Sequence, residues 1–90
     1  EEDHKNVADK KIAYFLEKVR TKYLLNTSNL NKEFIQHLAA KSGNEIENTN
    51  YLINTIITLH KRSECSKEEL LTLHKMIETF FNKQAHGNTK

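Results

Sequence analysis

Proline and tryptophan are missing from this chain altogether, glycine occurs twice, and cysteine and methionine once each. With no proline, no stretch is barred from helix by a missing N–H or a locked φ. With only Gly43 and Gly87, no glycine-rich loop exists to cradle a phosphate. The single Cys65 excludes an internal disulfide, and fits a reducing compartment. Long hydrophobic runs are missing too. The longest, Ile12 to Leu16, is far below the ~20 apolar residues of a membrane span, and no signal-peptide core is present. Nor does one sign of charge dominate. Fourteen Lys and Arg against twelve Asp and Glu leave +2, short of the excess that announces a nucleic-acid binder. The 90 residues fit one soluble domain, and the opening at Glu1 with no Met is read as a piece of a longer protein.

What is present is helical periodicity. Strand-like alternation is absent, and four amphipathic stretches predict helices over 6–25, 32–42, 47–61 and 67–83. In the first, Ala8, Ile12, Phe15, Leu16, Val19 and Tyr23 recur at three- and four-residue steps as one apolar stripe. Asn26-Thr27-Ser28-Asn29 competes with helical hydrogen bonding and marks a turn. Asn31 is the expected cap of the second helix, with Leu30 and Ile35 as a hydrophobic staple and Gly43 as the left-handed stop. Phe34, Ile35, Leu38 and Ala39 make its inner face. The third carries a broad stripe of Leu52, Ile53, Ile56, Ile57 and Leu59, which marks it as central. Ser66-Lys67-Glu68-Glu69 reads as a capping box, with Cys65 and Leu70 as its staple. Leu70, Leu73, Ile77, Phe80 and Phe81 then face the core. The expected architecture is all-α, a compact four-helix bundle or orthogonal array over 6–84, between a flexible segment 1–5 and a frayed tail 85–90.

Catalytic and metal chemistry find little support. His60, Cys65 and His74 have no ligand-set spacing, and no HExxH, GxSxG or dinucleotide fingerprint occurs. His60 is read as a helix-end imidazole facing the last carbonyls, His74 as an inner-face rim residue, and Cys65 as a staple without a base to activate it. Glu45, Glu47, Glu68 and Glu69 all stand at helix starts, where the dipole favours negative charge, so no acid–base pair is needed to explain them. The expectation is a non-enzyme with no cofactor, no metal and no small-molecule substrate. Leu38-Ala39-Ala40-Lys41-Ser42-Gly43 does resemble a helix-turn-helix opening, which makes a degenerate DNA-binding domain the alternative. Against it, the next helix opens with Glu45 and Glu47 and carries Asn48, Asn50 and Asn54, with no Lys or Arg between Lys41 and Lys61.

One surface has character. Lys11, Lys18 and Lys22 lie at i, i+7 and i+11 on one flank of the first apolar stripe, with Arg20 on the other. From Lys10 to Lys22, five cations face one anion, Glu17. The bland reading is a solvated face with snorkelling lysine stems. The functional one is a dock for an acidic partner or an anionic membrane surface, with Tyr14, on the far side from the core, as an exposed aromatic contact.

His4-Lys5-Asn6, Lys10-Lys11-Ile12, Tyr14-Phe15-Leu16-Glu17, Arg20-Thr21, Tyr23, Phe34, Leu38-Ala39, Lys41-Ser42-Gly43 and the later Ser-x-x-Glu helix together resemble a known pattern. It is similar to the cytoplasmic C-terminal tail of an uncharacterised bacterial membrane-protein family. Members look like glutamine-amidotransferase-like proteins outside the membrane, followed by a membrane helix and this tail. The resemblance spans roughly residues 4–83 and brings no functional residue with it. It implies a location at the cytoplasmic face of the inner membrane. It also implies a candidate partner, a MoxR-type AAA+ ATPase, because such genes often neighbour the family's own. The reading is a protein-interaction module whose contact surface is Lys11, Tyr14, Lys18, Arg20 and Lys22.

Overall fold

The computed structural model describes the backbone of residues 3–88 and the side chains of residues 3–82. Four helices follow one another: α1 (His4–Tyr23), α2 (Lys32–Ser42), α3 (Ile46–Lys61) and α4 (Lys67–Asn88). Among the described residues no strand is formed, so the architecture is a compact four-helix bundle.

α1 starts earlier than its periodicity implies. The Asp3 carboxylate accepts from the Asn6 N–H at 3.1 Å and caps the helix. Residues 4 and 5, expected to be flexible, are therefore helical, and Lys5 has a tertiary role. Its ammonium bonds Asp9 at 2.7 Å and reaches the Leu59 and His60 carbonyls at 3.2 and 3.1 Å. It thus neutralises the negative end of α3. α1 also stops two residues early, because Leu24 takes a left-handed conformation, φ 57°. A β-carbon is disfavoured there, and Leu24, 81% exposed, packs on nothing that would offset the strain. Leu24→Gly is expected to stabilise the domain by about 0.5–1 kcal/mol, read as a higher urea midpoint at unchanged slope.

The remaining caps match the sequence. Asn31 Oδ1 accepts from the Phe34 N–H at 2.9 Å, and Gly43 ends α2 at φ 78° with its N–H on the Ala39 carbonyl. At the start of α4, the Ser66 N–H donates to Glu69 Oε1 and the Glu69 N–H to Ser66 Oγ, both at 3.0 Å. The Ser66 backbone N–H, helped by Arg62, holds the Glu69 carboxyl below the usual carboxylate range. α4 continues to Asn88, past the expected end at 83 and through four residues of the segment expected to fray.

The stripes meet as one core. Ala8, Ile12, Phe15, Val19 and Tyr23 of α1 pack with Phe34, Ile35 and Leu38 of α2, with Leu52, Ile53, Ile56 and Leu59 of α3, and with Leu73 and Phe80 of α4. Phe15 stands edge-on to Phe80, ring centroids 5.6 Å apart, and 5.7 Å from Phe81. Two polar ties set how the helices lie. Lys41 of α2 donates to the Tyr23 carbonyl at 3.0 Å, covering the C-terminal end of α1. Asn44, buried in the α2–α3 turn, donates to the Phe80 carbonyl of α4 and to Ser42 Oγ, both at 3.1 Å. The start of α1 thus lies by the end of α3, and the start of α3 by the later part of α4. α3 therefore runs opposite to both, and α1 and α4 run in the same sense.

Candidate functional site: a furrow between α1 and α4

The parallel course of α1 and α4 leaves a furrow of about 470 Å³ between them. From α1 come Val7, Tyr14 and the three lysines Lys10, Lys11 and Lys18; from α4 come His74, Ile77, Glu78, Phe81 and Asn82. The helical period explains the grouping. Residues 7, 11, 14 and 18 fall on one flank of the stripe that buries Ala8, Ile12 and Phe15, so they border whatever that stripe packs against. Ile77 and Phe81 are only partly buried, and their outer faces form the apolar lining. Tyr14 is 64% exposed, yet it stands at the rim of this furrow rather than on the far side of α1.

Lys11 and Lys18 are held by ring side chains rather than by acids. The Lys18 ammonium lies 4.4 Å from the Phe81 ring centroid and 5.8 Å from that of Tyr14. Lys11 Nζ is 3.2 Å from His74 Nδ1, and since an ammonium only donates, Nδ1 is the acceptor. The other ring nitrogen of His74 faces Glu78 at 3.6 Å. Among the described residues, Lys10, Lys11 and Lys18 make no ion pair with a carboxylate. The furrow combines an apolar floor with uncompensated positive charge.

The expected contact residues separate at this point. Lys11, Tyr14 and Lys18 come together. Lys22 does not line the furrow; its ammonium lies 6.0 Å from the Tyr23 ring, beyond the upper end. Arg20 faces elsewhere, donating to Glu17 Oε1 and to Thr27 Oγ1, both at 2.6 Å, which fastens α1 to the α1–α2 link. Val7, Lys10, His74, Ile77 and Phe81 were absent from the sequence-derived set. Phe81 carried a signal, since an aromatic at the edge of a core stripe exposes one face, but the neighbour of that face is a tertiary fact.

The histidines and the cysteine do not converge. His60 is exposed, its side chain 70% accessible, and sits 3.6 Å from Asp9. It bonds none of the last α3 carbonyls it was expected to face, because Lys5 occupies them. His74 is in the furrow, and Cys65 lies in the α3–α4 link, packed against the core edge beside Leu70. Burial, then the nearby Glu69, push the Cys65 thiol up, away from the reactive thiolate. Among the described residues no group of three His, Cys, Asp or Glu side chains is placed to hold a metal ion.

The helix-turn-helix alternative also meets a structural fact. The outer face of α3 carries Asn48, Asn50, Tyr51 and Asn54, and the amides are engaged locally. Asn54 donates to the Asn50 carbonyl and side chain at 2.9 and 3.0 Å, and Asn48 to Glu45 at 3.5 Å. α3 itself brings no Lys or Arg to meet phosphate before Lys61, and the cations beside that face, Lys32 and Lys75, belong to α2 and α4. A wider hollow of about 550 Å³ between α3 and α4 is lined by Thr55, Thr58 and Thr72, and its one cation, Arg62, is paired with Glu69.

Among the described residues no helix is long and apolar enough to cross a membrane. A family model described as the DUF4350 C-terminal helical domain matches residues 1–84. No curated protein and no solved structure matches the chain.

Proposed function

Because this chain belongs to the family of DUF4350 C-terminal helical domains, we propose that it is a non-catalytic protein-interaction module, carried on the cytoplasmic side of a bacterial membrane protein. The observation that supports this reading is the α1/α4 furrow, which Lys10, Lys11 and Lys18 line together with Tyr14 and Phe81, none of the three lysines having a carboxylate partner among the described residues. Lys18, already desolvated on one side by the Phe81 ring, gives up little further hydration when an acidic group arrives, and apolar surface nearby adds affinity that charge alone lacks. The resemblance noted above supplies the candidate partner, a MoxR-type AAA+ ATPase, and an anionic membrane surface is the competing acidic target.

The test uses the domain as bait for the neighbouring ATPase. Lys11→Glu with Lys18→Glu is expected to weaken capture at least about tenfold, with far-UV circular dichroism unchanged. Lys22→Glu with Lys32→Glu, both exposed and outside the furrow, serves as the charge-matched control and should leave capture as it was. Equal loss from both proteins would reduce the furrow to a general charge effect, and undiminished capture by the double variant would remove it as the docking site.

A further inference from the structure

We infer that the furrow between α1 and α4 takes an acidic amphipathic helix of a partner protein, with apolar residues repeating every seven positions. This rests on the docking reading above and gives the partner a chemistry. The first support is register. Lys11 lies beside His74, and Lys18 beside Phe81, seven residues further along both helices. Val7 and Tyr14, also seven apart, line the same furrow. At 1.5 Å per residue the walls keep step for about 10 Å. Two helices that hold such a register bound a straight channel with the seven-residue period of a coiled coil. A third helix can stay in phase with that period along its whole length. An extended strand, rising about 3.3 Å per residue with alternating side chains, drifts out of phase within one repeat.

The second support is charge placement. Lys18, held 4.4 Å over the Phe81 ring, sets its ammonium at the edge of the apolar floor. Lys11, seven residues earlier, is held instead by a hydrogen bond to His74 Nδ1 at 3.2 Å. Carboxylates flanking the apolar residues of an incoming helix therefore land on cations already in position, which lowers the ordering cost of binding. The single carboxylate in the furrow, Glu78, lies 3.6 Å from His74 and leaves the three lysines uncovered. A bilayer is a poorer fit. Its broad headgroup plane cannot enter a channel between two helices, and it would meet the exposed Glu17 and Glu78 together with the lysines.

The experiment is fluorescence anisotropy with three labelled peptides of about three heptads. One carries Leu at the two core positions of each heptad and Glu at the flanking ones, the second has every Leu replaced by Ala, and the third is a scramble of the first. Phosphatidylglycerol vesicles form a parallel arm. The Leu/Glu heptad peptide is expected to bind, to weaken about tenfold with Lys11→Glu/Lys18→Glu, and to weaken further as salt rises. Tyr14→Ala, at an exposed rim position that cannot unfold the core, is expected to cost about fivefold to tenfold. Equal binding of the alanine peptide or of the scramble overturns the inference in favour of plain charge attraction. Vesicle binding with the peptides silent overturns it in favour of lipid. Silence of every probe also overturns it, and the ATPase capture above decides separately whether the docking reading survives.

Discussion

Phe15→Ala is expected to cost about 3–5 kcal/mol and to leave much of the protein unfolded well below the temperature at which the wild type melts. The ring is fully buried, between α1 and α4, and touches both Phe80 and Phe81. Its removal forfeits the burial of the side chain, two aromatic contacts and the filling of the space between them. The neighbours cannot close that space cheaply. Phe80 is tied at its carbonyl to Asn44, and Phe81 carries Lys18 on its outer face. Domains of this size hold about 5–15 kcal/mol in total, so the loss takes a large share of what keeps the chain folded. Urea titration followed by circular dichroism measures it, with Tyr14→Ala as a surface control expected within about 0.5 kcal/mol of wild type. A loss below about 1 kcal/mol would mean that α4 repacks freely on α1. The furrow, whose wall is the other face of the same aromatic group, would then have no fixed shape.

Asn44→Ala is the second large effect, about 1–3 kcal/mol. The Asn44 amide is buried and donates to the Phe80 carbonyl and to Ser42 Oγ, linking the α2–α3 turn to a helix 36 positions away in sequence. Alanine leaves the buried Ser42 hydroxyl with one donor fewer and opens a small polar void. Asn44→Asp sharpens the test through pH. An ionised carboxylate cannot donate to the Phe80 carbonyl and is repelled by it, whereas the protonated acid restores one donor. In the folded Asn44→Asp protein the protonated form is thus favoured relative to the unfolded chain. Its stability should rise as pH falls through the carboxylate range, opposite in sign to a paired surface acid. Equal stability of Asn44→Asp and wild type at neutral pH would show that the amide is not the tie between turn and helix.

Much of the fold is legible along the chain because it depends on near neighbours. The Asn31 cap, the Gly43 stop and the Ser66–Glu69 box involve groups three or four residues apart, and each forms as its sequence implies. The four stripes are legible for a related reason, since the 3.6-residue period alone decides which side chains share a face. Asp3 as a cap and the left-handed Leu24 were not legible. Asp3 stands before a helix whose apolar period begins later, and nothing in the residue type of Leu24 announces a conformation usually left to glycine.

The candidate site divides along the same line. Lys11 and Lys18 could be placed on one flank of α1, and Arg20 on the other, from spacing, whereas Tyr14 had to be brought to the furrow and Lys22 removed from it by what each side chain meets. Lys5 and Lys41 look like ordinary solvated lysines in the sequence, yet each covers the C-terminal carbonyls of a different helix. By itself, the sequence determined the four helices, most of their ends and the faces they bury, because local hydrogen bonding and helical period are set within a few residues. Only the tertiary structure decided that α1 and α4 run in the same sense, that a furrow opens between them, and which lysines border it. Those facts depend on contacts between positions dozens of residues apart, made by side chains whose own chemistry is compatible with many neighbours.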